Sequence, residues 1–204
     1  MRRPNDRFLR TISLVSIPLA VLVGAGLVWH ASYAAFSSST RNAGNTWSTG
    51  TVKLTSDDSG TARFTVSNLV PGQTDTKCIT VTATATVPGI VKLYLLNPIP
   101  SSQGLENYIK LQVTSGTGGS FASCAGYVAG PTLITNETIA VAAAAHDSFS
   151  NGVGAWATAG QPTGESTTYQ FTWTFDVSAL TQAQLDALQG ARTGVDFGWE
   201  LQNS

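Results

Sequence analysis

Charge is the first thing this sequence lacks. Lys, Arg, Asp and Glu together make up 11% of the chain, about half the usual share. Disordered chains are rich in charge and nucleic-acid binders are basic, so neither class fits. Histidine is nearly missing too: only His30 and His146 are present, and no HExxH pair stands anywhere in the chain. A hydrolytic zinc site usually draws on two or three histidines. Two cysteines, Cys78 and Cys124, are too few soft ligands for a metal cluster. No internal repeat is found. No catalytic, cofactor-binding or metal site is therefore expected, and no cofactor.

What is present in place of charge is Ser, Thr, Gly, Ala and Asn, with 42% apolar residues. A low-charge, threonine-rich surface suits exposed β-structure. Arg2, Arg3, Arg7 and Arg10 lie together at the start, an apolar stretch runs from Leu14 to Val28, and small residues follow. This is the anatomy of an export signal. The peptidase needs small side chains at the first and third positions before the cut, and Ser32 and Ala34 supply them. Cleavage between Ala34 and Ala35 is expected, making 1–34 a signal peptide and 35–204 a single domain. The rival reading is a retained anchor, since about 18 to 20 apolar residues can span a bilayer. Removing the leader takes four of the eleven basic residues and one of the twelve acidic ones. Seven then stand against eleven, a modest negative balance with no site for a polyanion.

Alternation of apolar and polar residues marks half-buried strands. It is clearest in Tyr169, Phe171, Trp173, Phe175 and Val177. It recurs in Val195, Phe197, Trp199 and Leu201, in Ile79 to Val87, in Ile109, Leu111 and Val113, in Val91, Leu93 and Leu95, and in Ala62, Phe64 and Val66. Pro-Gly pairs at Pro71-Gly72 and Pro88-Gly89 read as type II turns carrying the chain between sheets. A mainly β, two-sheet sandwich follows. Two short helices interrupt it. Residues 181–190 carry a capping box (Thr181, Gln184), a hydrophobic staple (Leu180, Leu185) and a Gly190 stop. Residues 138–145 rest on four alanines with Asn136 as a cap. Residues 115–120 and 151–167 read as loops.

Three stretches carry a family resemblance: Ala34-Ala35-Phe36-Ser37, Asn45-Thr46-Trp47-Ser48-Thr49-Gly50-Thr51-Val52-Lys53-Leu54, and Phe64-Thr65-Val66-Ser67-Asn68-Leu69-Val70-Pro71-Gly72. In order and spacing they resemble the TasA/camelysin family of exported proteins. The likeness covers residues 34–96 and returns in 193–203. It implies a jelly-roll-like sandwich and a signal peptide cut by a dedicated signal peptidase. It also implies a secreted, cell-surface subunit that polymerises with itself into extracellular fibres or biofilm-type matrix. A cell-surface anchoring protein is a further partner; the membrane is met only through the uncleaved leader, and nucleic acid not at all. Subunits of such fibres join by β-strand addition, an extended segment satisfying the free N–H and C=O groups of a sheet edge. Here the candidate donor strand is Ala35, Phe36, Ser37, Ser38, Ser39 and Thr40, within an extended segment 35–46. The same residues read equally as the domain's own first strand. Two other functions stay open: a camelysin-like secreted metallopeptidase, and a monomeric cell-surface adhesin or binding module using residues 151–167.

The remaining candidates are weighed on their chemistry. An even cysteine count in an exported chain favours a Cys78–Cys124 disulfide. His146-Asp147-Ser148 holds the side chains of a serine triad, but neighbours in one loop do not normally reach its convergent geometry. His146 reads as an ordinary residue at a helix end. Asp57-Asp58-Ser59-Gly60 lacks the ligand rhythm of an EF-hand and reads as a solvated turn. Asn136-Glu137-Thr138 fits a glycosylation sequon. Trp173 and Trp199 fall on apolar strand faces and belong to the core.

Overall fold

A computed structural model describes residues 51–62 and 64–203 and the backbone of Ser37–Ser39. The expected leader, Ala34, Ala35, Phe36, Thr40 and Trp47 lie outside the described residues. Nine strands are found among those described: β1 (Ser37–Ser39), β2 (Val52–Ser56), β3 (Thr74–Ala85), β4 (Gly89–Ile99), β5 (Ile109–Thr117), β6 (Val128–Thr138), β7 (Val153–Thr158), β8 (Glu165–Phe175) and β9 (Gly194–Asn203). Helix α1 (Ile139–Ala145) lies between β6 and β7, α2 (Gln182–Ala187) between β8 and β9, and a 3-10 turn, Leu105–Asn107, precedes β5.

The strands form two antiparallel sheets, one in the order β1-β9-β4-β7 and the other in the order β2-β3-β8-β5-β6. The partnerships β1 with β9, β3 with β8, β4 with β7 and β5 with β6 are those of one long hairpin, hinged between β5 and β6 and rolled into two layers. That is jelly-roll topology, with β2 added at one edge.

The two inner faces meet in one core. Tyr169 and Phe171 on β8 are fully buried and pack with Val81, Leu93, Leu95, Trp199 and Leu201. Phe171 lies 4.4 Å from Phe197 between ring centroids and edge-on to Trp199 at 6.2 Å. Fully burying a side chain of this size contributes roughly 1.5–3 kcal/mol, so the alternation along β8 anchors both sheets. A second cluster of Leu105, Ile109, Trp173, Phe175 and Val177 extends the core at one end. Leu185 from α2, a helix with no fully buried residue of its own, closes over it together with Leu180 and Leu188, which flank the helix. Its capping box is formed as expected: the Thr181 hydroxyl accepts from the Gln184 N–H, and the Gln184 side chain accepts from the Thr181 N–H.

Several local expectations need correction. Residues 62 and 64–69 are not a strand: none is paired in a sheet, Phe64 touches both clusters and Leu69 packs on the second. Alternation supplies a face to bury, yet a strand also needs a neighbour for its backbone, and here β2 has already turned away at Asp57. The cap of α1 is Thr138, whose hydroxyl accepts from the Val141 N–H. Asn136 stands two residues too early and takes a positive φ of 50° within β6. The turn at residues 70–73 has Gly72 at φ 75° and a Gln73 N–H to Val70 O bond of 2.9 Å, as a type II turn requires. Gly89, by contrast, opens β4, and its backbone is not left-handed. Glycine is needed there because a Cβ would sit 2.7 Å from Gln202 O and Leu201 Cδ1. Residues 151–167 are not all loop, since β7 lies within them and β8 begins at Glu165.

Candidate functional site

The candidate site grows out of β9. On its inner face Trp199 and Leu201 are buried, and Phe197 lies against Phe171. One side of its backbone pairs with β4 from Gly89↔Asn203 to Ile99↔Gly194. Its other side is met, among the described residues, only by β1, over Ser37↔Gln202, Ser38↔Leu201 and Ser39↔Glu200. This pairing seats the described part of the N-terminal segment antiparallel along β9, on the side opposite β4.

The sheet edges at β6 and β7 are blunted. β6 carries Pro131 and shifts register against β5 three times. β7 is short, meets β4 with a register shift, and has Gly154 at φ 66°. Proline, bulges and brevity are the usual protection against unwanted strand pairing. β9 has no proline along residues 194–199, but its pairing with β4 also shifts register there, between Leu96↔Asp196 and Ile99↔Gly194.

The Cys78–Cys124 disulfide is present, with a Cα–Cα distance of 5.4 Å. Cys78 points to the outer face of the five-stranded sheet yet is wholly buried, because the segment between β5 and β6 folds back across it. Asp57 clamps the same segment: its carboxylate accepts from the Thr80 N–H at 2.8 Å and the Phe121 N–H at 2.7 Å. Tyr127 adds a hydroxyl contact of 2.8 Å with Thr114. Beyond this cover the outer face is a ladder of cross-strand hydroxyl pairs, Thr76 with Thr172 and Thr82 with Ser166 among them.

The other sequence candidates fall apart from this edge and from one another. His146 caps the C-terminus of α1. Its Nδ1 is 3.0 Å from the Asn151 carbonyl oxygen and its Nε2 is 3.7 Å from Glu137 Oε2. Asp147 and Ser148 both bond to the Asn151 side chain and neither bonds to His146, so the three do not assemble as a triad. The hydrogen bond from the Asn151 amide, first among the causes, holds the Asp147 carboxyl below its usual range. Asp58 folds its own turn, accepting from Ser56 Oγ and the Gly60 N–H. Asn136 of the sequon is exposed, and Thr138 of the sequon serves as the helix cap. Trp173 and Trp199 are both in the core. Among the described residues no three His, Cys, Asp or Glu side chains come together as metal ligands, and no helix is long and apolar enough to cross a membrane.

Two features escaped the sequence. The Asp57 clamp links residues 64 apart, and an aspartate before a turn gives no sign of a distant partner. Glu165 accepts from the N–H groups of Ala159, Gly160 and Gln161, fastening the loop before β8. Compared with protein-family models and with curated proteins, the chain matches none.

Proposed function

We propose that this chain is an exported structural subunit that polymerises with itself into extracellular fibres or biofilm-type matrix. In this reading the N-terminal segment of one copy, residues 35–40, pairs along β9 of the next. The observation that carries it is the β9 edge, which takes an extended strand from the N-terminal segment: Ser37–Ser39 pair antiparallel with Gln202, Leu201 and Glu200. β-strand addition needs such an edge and an extended donor, and the all-serine β1 can be exchanged for the same segment of a neighbour at little cost. The jelly-roll sandwich supports the reading, since it is the architecture implied by the TasA/camelysin resemblance. Removal of the leader would then free the donor and license assembly.

Ser37 and Gln202 face each other, so the joint can be trapped. One chain carries S37C and a second carries Q202C; each is exported and matured separately, and the two are mixed under oxidising conditions. Exchange predicts a disulfide-linked pair containing one chain of each kind, together with filaments by negative-stain microscopy. Deleting residues 35–42 should leave a folded monomer that cannot elongate. The proposal is wrong if the deleted chain forms ordinary filaments, or if a chain carrying both cysteines crosslinks only within itself while filaments grow.

A further inference from the structure

The hydrogen bonds around Asn151 are unusual in their chemistry. Its side-chain oxygen accepts from the Ser148 N–H at 2.9 Å and from Ser148 Oγ at 3.0 Å. Its side-chain nitrogen donates to Asp147 Oδ1 at 2.7 Å. A backbone N–H can only donate and a carboxylate can only accept, so the orientation of the amide is unambiguous. Asn151 is exposed to water. The residue after it is glycine, and this is the one Asn-Gly pair in the chain. Packing demands that glycine: a Cβ at position 152 would lie 2.9 Å from Leu93 O and 3.2 Å from both Lys92 Cβ and Ser148 O. The Gly152 N–H itself makes only a long contact, 3.4 Å, to Phe149 O.

We infer that Asn151 is a self-modification site, at which the folded loop promotes succinimide formation with Gly152 and conversion of the asparagine to aspartate and isoaspartate. Solvent base removes the Gly152 N–H proton, and that nitrogen attacks Asn151 Cγ, with no side chain on residue 152 to obstruct ring closure. As the N–Cγ bond forms, negative charge gathers on Oδ1, where the two Ser148 donors already point. Preorganised donors at a developing oxyanion lower such a barrier. The Cγ–Nδ2 bond then breaks, and Nδ2 leaves as ammonia after taking a proton from water. Asp147, accepting from that nitrogen, keeps it electron-rich and easier to protonate. Water opens the ring at either carbonyl, so one water is consumed and one ammonia released for each Asn151 converted.

The product alters the loop that made it. A carboxylate at 151 replaces the donor that faced Asp147, and two like charges then stand at hydrogen-bond distance. The link between α1 and β7 loosens beside the His146 carbonyl, which accepts the Leu95 N–H of β4.

The test is peptide mapping by mass spectrometry, with enzymatic methyl labelling of isoaspartate, on the purified chain held at neutral and mildly alkaline pH. Samples are kept folded or in denaturant. Aspartate and isoaspartate at 151 should accumulate faster in the folded chain than in the denatured one, and faster as pH rises. Ser148→Ala should slow the folded rate roughly tenfold, the size of one charge-assisted hydrogen bond, and leave the denatured rate unchanged. Equal or slower conversion in the folded wild-type chain overturns the inference, and this comparison stands even if the variant does not fold. So does a folded Ser148→Ala chain that reacts at the wild-type rate. A main-chain break between 151 and 152 in place of ammonia loss would overturn it too, by making Nδ2 the nucleophile.

Discussion

Replacing Cys124 with serine should cost this fold about 4 kcal/mol. The bridge closes a sequence separation of 46 residues, and the loop-entropy relation gives about 4 kcal/mol for a loop of that length at room temperature. Cys124 is the right partner to change. Cys78 is wholly buried, and a thiol left there behaves as a small apolar group, whereas a serine at 124 sits at a partly exposed position. The variant therefore removes the crosslink without leaving a polar group in the interior. For a domain of this size each kcal/mol moves the melting temperature by about 2–4 °C, so a fall of about 8–16 °C is expected. Circular dichroism melts with and without reductant measure it. Reduced wild type should melt with the variant, and the variant should ignore reductant. Hydrogen exchange should rise first in residues 118–127, where Asp57 and Tyr127 provide the remaining hold. A fall below about 1 kcal/mol, or a variant still sensitive to reductant, would refute the claim that this crosslink sets the stability of the covering segment.

Two further predictions test packing and charge. Gly89→Ala should destabilise by about 1–3 kcal/mol, because the added methyl meets Gln202 O and Leu201 Cδ1 at 2.7 Å in a close-packed layer; Gly72→Ala, strained only by its φ of 75° with open space around it, should cost about 1 kcal/mol, and urea titrations separate the two. Asp176 is held down to about 2 from its usual 3.8, first by the hydrogen bond from Lys110 and then by Ser178. A carboxyl with a lowered folded value stabilises above its unfolded value and loses that contribution as pH falls through the folded one. The advantage of wild type over Asp176→Asn should therefore hold at neutral pH, shrink below about pH 4 and vanish near pH 2; urea midpoints that differ equally at every pH would contradict it.

What could be read from the sequence was whatever is written locally. The run from Tyr169 to Phe175 buries every second residue, and a period of two has few other structural solutions. Thr181, Gln184, Leu180 and Leu185 mark α2 within a few residues of one another, because a cap and a staple are short-range interactions. The cysteine count pointed to the bridge that is present. Tertiary structure decided the rest. Phe64 and Val66 alternate like a strand and have no strand beside them, while Val128–Thr138, with Gly130 and Pro131 in it, is a strand because β5 offers it an edge. Cys78 is buried on an outward face because a segment some 40 residues away lies across it. The β9 edge had no signature in Val195, Phe197, Trp199 and Leu201, whose side chains announce only which face is buried. Which strand meets each of its two backbone sides depends on how the long hairpin rolls up, and backbone hydrogen-bonding groups are the same in every residue but proline.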